Sequence, residues 1–373
     1  MKNQGKSDIA RVVIGKYGNL IGLIVLIVLT TILTNGMFFT QRNLINVLRQ
    51  VSVNGILAVG MTLVIITGGI DLSVGSVVAL TGIIAALLQP QGTVAAIALT
   101  MVAGAVIGGC NGFFVTKFRI PSFIITLGMM TIARGLALVF SKGEAISGLN
   151  DNFLAISESY ISPFISLTVF GFVCFLAVFI YFKERKSSGY ERKLIAFNFI
   201  GVLNILFITA AAAVLVWLIG FRGMPAGVAV FLGIAFLGAY TLNQTRFGRY
   251  VYAIGGNEEA SRLSGINVKA VKFLVFLIMG VLAAVSGMVL AARLNSGVPT
   301  SGVMFELDAI ASVVIGGTSL SGGYGSVGGS IIGAFIIGTL NNGMQLLHID
   351  PFYQEIAKGV IIIGAVLMDR KKK

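Results

Sequence analysis

The chain is short of charge. Of its 373 residues 11% are charged and 56% hydrophobic, and the mean hydropathy is +0.96. A water-soluble domain carries about twice that charged fraction, so a soluble enzyme is excluded; the apolar content equally excludes a disordered chain. Cysteine is nearly absent: Cys110 and Cys174 both fall in apolar runs, build neither a disulfide framework nor a zinc site, and read as inert packing. There is one histidine, His348, with no H-E-x-x-H, no paired intramembrane aspartates and no Ser/His constellation, which argues against an intramembrane protease. A G-x-x-x-x-G-K-[ST] loop is missing too, so the chain does not cradle ATP phosphates by that device.

What the sequence has is long apolar runs. They cover 18–36, 51–69, 73–89, 93–115, 121–140, 162–182, 194–218, 225–242, 273–292, 307–320, 327–345 and 354–368. Each is continuous rather than alternating, which excludes a strand barrel and leaves helices as the way to satisfy backbone groups in lipid. Twelve spans of about 20 residues need roughly 240 residues. The expected fold class is therefore all-α, a single membrane-embedded helix bundle over 1–373 with about 10–12 transmembrane helices. The first run lacks an A-x-A-like cleavage site after it and reads as a retained anchor.

The net charge of +13 resembles a nucleic-acid signal, but its placement gives another account. With the N-terminus in the cytoplasm, most of the 27 basic residues fall on the cytoplasmic side: the N-terminal segment, Lys117 and Arg119, Lys183 to Lys193, Arg246 to Lys272, and Arg370 to Lys373. That is the positive-inside asymmetry. It puts both termini in the cytoplasm and makes a nucleic-acid partner unnecessary. The outer loop 141–161 is acidic, with Glu144, Asp151 and Glu158.

The 48 glycines include stripes at i+4: Gly104, Gly108 and Gly112, then Gly325, Gly329 and Gly333. Such stripes let helix backbones approach closely in lipid. Polar groups at membrane depth are functional suspects: Asp71 in GGIDLSVGS (68–76), Asn111, Asn341 and Asn342. Asp71 also reads as a cap for the following helix, and each asparagine as a bridge between helices. Of the 14 acidic residues only Asp71 is expected to approach the membrane interior. Arg134 is expected to snorkel towards the outer surface. GGTSLSGGYGS (316–326) repeats the GG-x-x-LS pattern of the first stretch, and both read as breaks in the bundle near the inner face.

Residues 243–272 form the longest cytoplasmic loop. Asn257 is an N-cap, Glu258 and Glu259 suit the positive helix start, Glu258 is spaced to pair with Arg262, and Gly265 suits a left-handed C-cap. Gly255 and Gly256 read as the turn before a two-turn helix with Ala260 and Leu263 on one side. Such a helix needs a surface to lie on. It is either a plain connection or a docking peg for a cytoplasmic partner.

FGRYVYAIGGNEEASRLSGINV (247–268) resembles the cytoplasmic loop of the permease subunits of bacterial ABC importers for monosaccharides, the ribose, galactose and xylose group. GGIDLSVGS, IPSFIITLGMMTIARGLAL (120–138), ELDAIASVVIGGTSLSGG (306–323) and LNNGM (340–344) resemble the same family in the same order, so the resemblance covers nearly the whole chain. A basic loop and extra apolar run at 183–224 resemble the xylose-type members. The resemblance implies a multi-pass subunit of the bacterial cytoplasmic membrane that is not itself an enzyme. Its implied partners are a second permease copy, a cytoplasmic ATPase holding ATP and magnesium, and an extracytoplasmic sugar-binding protein. It implies that Gly255, Gly256, Asn257, Glu258, Glu259, Arg262, Leu263, Ser264 and Gly265 meet the ATPase, and that the chain itself binds no cofactor or metal. Asp71, Asn111, Asn341 and Asn342 are the candidates for lining the solute path. A secondary transporter driven by an ion gradient is the alternative.

Overall fold

The computed structural model describes residues 2–166 and 222–370, with the isolated positions 168, 217 and 220. The run 194–218, most of the run 162–182, most of the insertion 183–224 and Cys174 lie outside the described residues. Among the described residues the architecture is mostly helical. In order come α1 (Lys2–Leu33), α2 (Gln41–Ile66), α3 (Val74–Leu87), α4 (Thr93–Phe118), α5 (Ser122–Ser141) and the short α6 (Asp151–Glu158). After the undescribed stretch follow α7 (Ala226–Gln244), α8 (Arg246–Gly256), α9 (Glu258–Leu263), α10 (Val268–Leu294), α11 (Phe305–Ile315), α12 (Val327–Leu346) and α13 (Pro351–Arg370). Six of them, α2, α4, α5, α7, α10 and α12, are long and apolar enough to cross a membrane.

Two apolar runs give helices shorter than a span. At about 1.5 Å per residue, α3 with 14 residues and α11 with 11 are about 21 and 16 Å long, against a hydrocarbon core of about 30 Å. Each is completed by a non-helical stretch, 67–73 before α3 and 316–326 after α11. The helix boundaries differ from the apolar runs elsewhere too. α1 begins at Lys2 rather than near residue 18, and α2 begins at Gln41 rather than residue 51. Polar residues therefore extend α2 beyond its apolar stretch, and Arg42 and Arg49 are helical, not loop residues.

α2 is the central post. From Val51 to Ile66 all but Asn54 are buried, packed among α10, α12, α7 and α11. Phe231 of α7 and Phe276 of α10, both 1% exposed, belong to the same core. The glycine stripe of α4 packs as the sequence indicates. A Cβ on Gly108 would lie 2.9 Å from the Gly280 Cα, and one on Gly112 2.9 Å from the Phe273 carbonyl oxygen. α4 and α10 thus touch main chain to main chain. In the second stripe Gly329 and Gly333 abut the backbone of α11, but Gly325 lies in the break before α12 and is no part of a helical face.

Two short antiparallel pairs tie the loops at the end remote from α9: β1 (Ile146–Ser147) with β4 (Ser296–Gly297), and β2 (Tyr160–Ile161) with β3 (Met224–Pro225). The Arg134 Nη1 donates to the carbonyl oxygens of Pro299 and Ser301, the latter at 2.8 Å. Its guanidinium thus staples this loop layer to α5 instead of reaching for the membrane surface, because two unpaired loop carbonyls lie within its length.

Candidate functional site

The loop between α7 and α10 folds as two helices, not one. Thr245 caps α8 by accepting from the Gly248 N–H at 3.1 Å. Asn257 caps α9 by accepting from Ala260 at 2.9 Å. α9 ends in a Schellman motif, with Gly265 at φ +85° and the Ile266 N–H donating to the Ser261 carbonyl at 3.1 Å. Gly255 and Gly256 are the last two residues of α8, not a turn; the hydrogen-bond ladder simply continues through them. The ion pairs also differ from the i,i+4 expectation. Arg262 bonds Glu259 at 2.5 Å, and Glu258 reaches Lys272 of α10 at 2.6 Å, because the turn at 264–267 brings α10 back beside the start of α9. The Glu259 carboxylate holds the exposed Arg262 above its ordinary pKa. Leu263 is 78% exposed, so the apolar side chain of this peg faces away from the chain's own core.

Both GG-x-x-LS stretches are helix breaks at the end that carries α8 and α9. α2 ends in a Schellman motif with Gly68 at φ +77° and the Gly69 N–H on the Val64 carbonyl. α11 ends in the same motif with Gly317 at φ +93° and the Thr318 N–H on the Val313 carbonyl. The left-handed residue is the first glycine of one pair and the second of the other, so the repeat is architectural but shifted by one residue.

The two breaks meet at the end of α8. The Gly323 N–H of the second break donates to the Ile66 carbonyl of the first at 2.9 Å. A Cβ on Gly255 would overlap that same carbonyl oxygen and the Gly323 nitrogen. Gly256, one residue on, faces open space. The Tyr252 hydroxyl donates to the Gly325 carbonyl at 2.8 Å; burial, and then Tyr324, push its pKa up. α8 is therefore wedged by main-chain contact onto both breaks at once.

Asp71 sits in the first break and is 2% exposed. It accepts from both the Ser73 N–H at 2.9 Å and the Ser73 hydroxyl at 2.6 Å, an Asx turn placed just ahead of α3. The cap of α3 itself is Ser73, which makes no side-chain cap bond. Asn111 of α4 donates to the Ser73 hydroxyl at 3.0 Å, leaving no room for a water molecule around the group. The extended backbone here is satisfied by α5: Ile70 N–H donates to Ser122, and Leu72 N–H to Thr126 at 3.0 Å. Asp71 and Asn111 thus belong to one closed cluster.

Asn341 and Asn342 lie elsewhere, in the half of α12 remote from α9. Asn342 and Asn43 exchange amide hydrogen bonds at 2.9 and 3.1 Å, a bridge between α12 and α2. Asn341 donates at 3.3 Å to Asp308 of α11, which also accepts from Asn54 at 3.4 Å and from the Lys358 ammonium of α13 at 3.2 Å. Asp308 is 2% exposed, which corrects the expectation that Asp71 alone approaches the interior. Asp308 stands at the edge of an apolar run read as a full span; because α11 is a short helix starting at Phe305, that edge lies inside the bundle. Asn43 was missed because 37–50 read as a loop, and Asn54 because it falls inside the apolar run 51–69. With α2 starting at Gln41, Asn43, Asn46, Gln50 and Asn54 fall at helical spacing on one face, bonded to Asn342, Arg293, Gln345 and Asp308. Among the described residues no group of acidic, histidine and cysteine side chains is arranged for a metal ion.

Comparison with known proteins places this geometry. The family profile described as branched-chain amino acid transport system / permease component matches residues 43–366. The ribose import permease protein of Escherichia coli (strain K12) is 41% identical over 358 residues, covering 95% of this chain and 94% of the relative. That of Bacillus subtilis (strain 168) is 41% identical over 362 residues, covering 96% and 94%. The xylose transport system permease protein of Haemophilus influenzae is 38% identical over 366 residues, covering 96% of each chain. No solved structure matches.

Proposed function

Because the chain belongs to the family of permease components of the branched-chain amino acid transport systems, we propose that it is the membrane-embedded permease subunit of an ATP-driven importer, and that its solute is a monosaccharide. The family description names amino acids, but the relatives matched along nearly the whole chain are sugar permeases, which supports the sugar. The chain is a transport component of the bacterial cytoplasmic membrane, not an enzyme. A cytoplasmic ATPase supplies the hydrolysis, with ATP and magnesium bound there, and an extracytoplasmic binding protein delivers the solute. A second copy of the permease completes the path, which runs along the interface between the two. Xylose is the first solute to test, ribose the second and galactose the third.

The observation that carries the coupling role is the seat of α8 and α9. A peg with an exposed Leu263 meets the partner, and the adjoining α8 rests on both helix breaks through Gly255. Movement of the peg is thereby delivered to two discontinuous helices together. At the opposite end the loops 141–161 and 294–306 are joined by the β1–β4 pair, and Arg134 ties the second of them to α5, which supports one continuous docking face for the binding protein.

The test is reconstitution. Vesicles holding the permease alone should accumulate none of the three sugars; vesicles with the ATPase and binding protein should concentrate one of them on ATP addition. Gradient coupling is favoured by a single feature, the buried Asp308–Lys358 pair. Concentrative uptake by the lone chain that collapses with a protonophore would establish that reading instead.

A further inference from the structure

A cavity of about 540 Å3 opens at the end that carries the peg, between α9 and the ends of α4, α5 and α10. Its rim is cationic: Arg119, Arg262, Lys269 and Lys272, against Glu258 and Glu259. Two of the cations are already spent, Arg262 on Glu259 and Lys272 on Glu258. Arg119 and Lys269 have neither an ion pair nor a side-chain hydrogen bond among the described residues, and both are exposed. The backbone of Arg119 is set by its place at the helix end. It ends α4 in the left-handed conformation at φ +54°, and the Ile120-Pro121 step that follows disfavours any continuation of the helix.

The inner wall of the cavity is apolar, with Val115, Ile120, Pro121 and Phe276. On the same ends of α4 and α5, outside the cavity lining, stand Phe113, Phe114, Phe118 and Phe123, all more than 40% exposed, with Phe114 and Phe118 stacked at 5.8 Å. Exposed phenylalanines on spanning helices offer an apolar surface that suits acyl chains, and basic pockets between spanning helices on the cytoplasmic side suit phosphate headgroups. A soluble phosphate would use the two free cations and leave the apolar wall and the phenylalanine cluster without a partner. We propose that this cavity is a site for an anionic phospholipid, its phosphate held by Arg119 and Lys269 between the peg helix and the start of α5. The bound lipid tethers α9 to the membrane surface. The site is independent of the transported solute and rests only on the chain being a membrane protein.

The purified, delipidated chain is examined by native mass spectrometry and thermal unfolding with phosphatidylglycerol, phosphatidylcholine or glycerol 3-phosphate. Wild type should retain phosphatidylglycerol preferentially and be stabilised by it. Arg119→Gln/Lys269→Gln should lower that preference about 25-fold, at about fivefold per basic group near the surface, while melting normally in detergent. Arg246→Gln/Arg249→Gln, on α8 at the same end, should keep it. A double variant that retains the preference, an equal loss in the α8 variant, or equal stabilisation by glycerol 3-phosphate would each overturn the proposal, the last in favour of a soluble phosphate.

Discussion

Adding one methyl group at Gly255 should separate the wedge from the peg. The new Cβ of Gly255→Ala would overlap the Ile66 carbonyl oxygen and lie 2.9 Å from its carbon, against an ordinary contact of about 3.5–4.0 Å. Neither neighbour is a flexible side chain, so backbone must move. The move strains the 2.9 Å bond from Gly323 to Ile66, worth about 1 kcal/mol, on top of an overpacking cost of about 1–3 kcal/mol. The sum is a destabilisation of about 2–4 kcal/mol, concentrated where the two breaks join. Gly256→Ala is the matched control, because its Cβ meets nothing within 4 Å and alanine is favoured over glycine in a helix by up to about 1 kcal/mol. Thermal unfolding of the purified chain should show loss in Gly255→Ala and not in Gly256→Ala, and sugar uptake per ATP hydrolysed in the assembled transporter should fall in Gly255→Ala. Tyr252→Phe, which removes only the bond to the Gly325 carbonyl, should keep the fold and lower uptake per ATP. The reasoning is refuted if Gly255→Ala melts like Gly256→Ala.

Three further outcomes follow from the packing. Lys358→Met leaves Asp308 charged and buried and should cost about 3 kcal/mol in a melting assay; adding Asp308→Asn should restore most of it, and failure to do so would remove the pair as the cause. Asp71→Asn keeps the acceptor for the Ser73 N–H and should melt like wild type, whereas Asp71→Ala should lose about 1–3 kcal/mol; normal melting of Asp71→Asn with abolished uptake would show that the charge itself is used. Gly108→Val should destabilise by at least about 1–3 kcal/mol, since its Cβ meets the backbone of Gly280, while Gly109→Val, whose nearest neighbour is the Phe273 ring at 3.8 Å, should be tolerated; equal melting temperatures would count against the main-chain contact.

Much of this was legible in the sequence where the signal is local. Asn257 and Gly265 bracket α9 because caps are set by residues a few positions apart. The two breaks announced themselves as paired glycines in apolar surroundings. What was hidden depends on the third dimension. Glu258 pairs with Lys272, fourteen residues on, because a turn folds α10 back, and no helical spacing encodes that. Gly255 looked like a turn residue, yet its small size serves a contact with Ile66 that is far off in sequence. Asp308 and Asn54 escaped because apolar runs locate spans but not their ends. α2 continues through polar residues that α12 and α11 satisfy, so hydropathy stops before the helix does.

The crossing of α4 and α10 has a mechanical consequence. Where Gly104, Gly108 and Gly280 press peptide against peptide, there are no side chains to change rotamer and no layer along which one helix slides past the other. The contact predicts that the two helices move as one body. α5 is attached differently: it packs on α3, and its Ser122 and Thr126 hydroxyls accept from N–H groups of the first break. A conformational change in this chain is therefore expected to carry α4 and α10 together and not to part them.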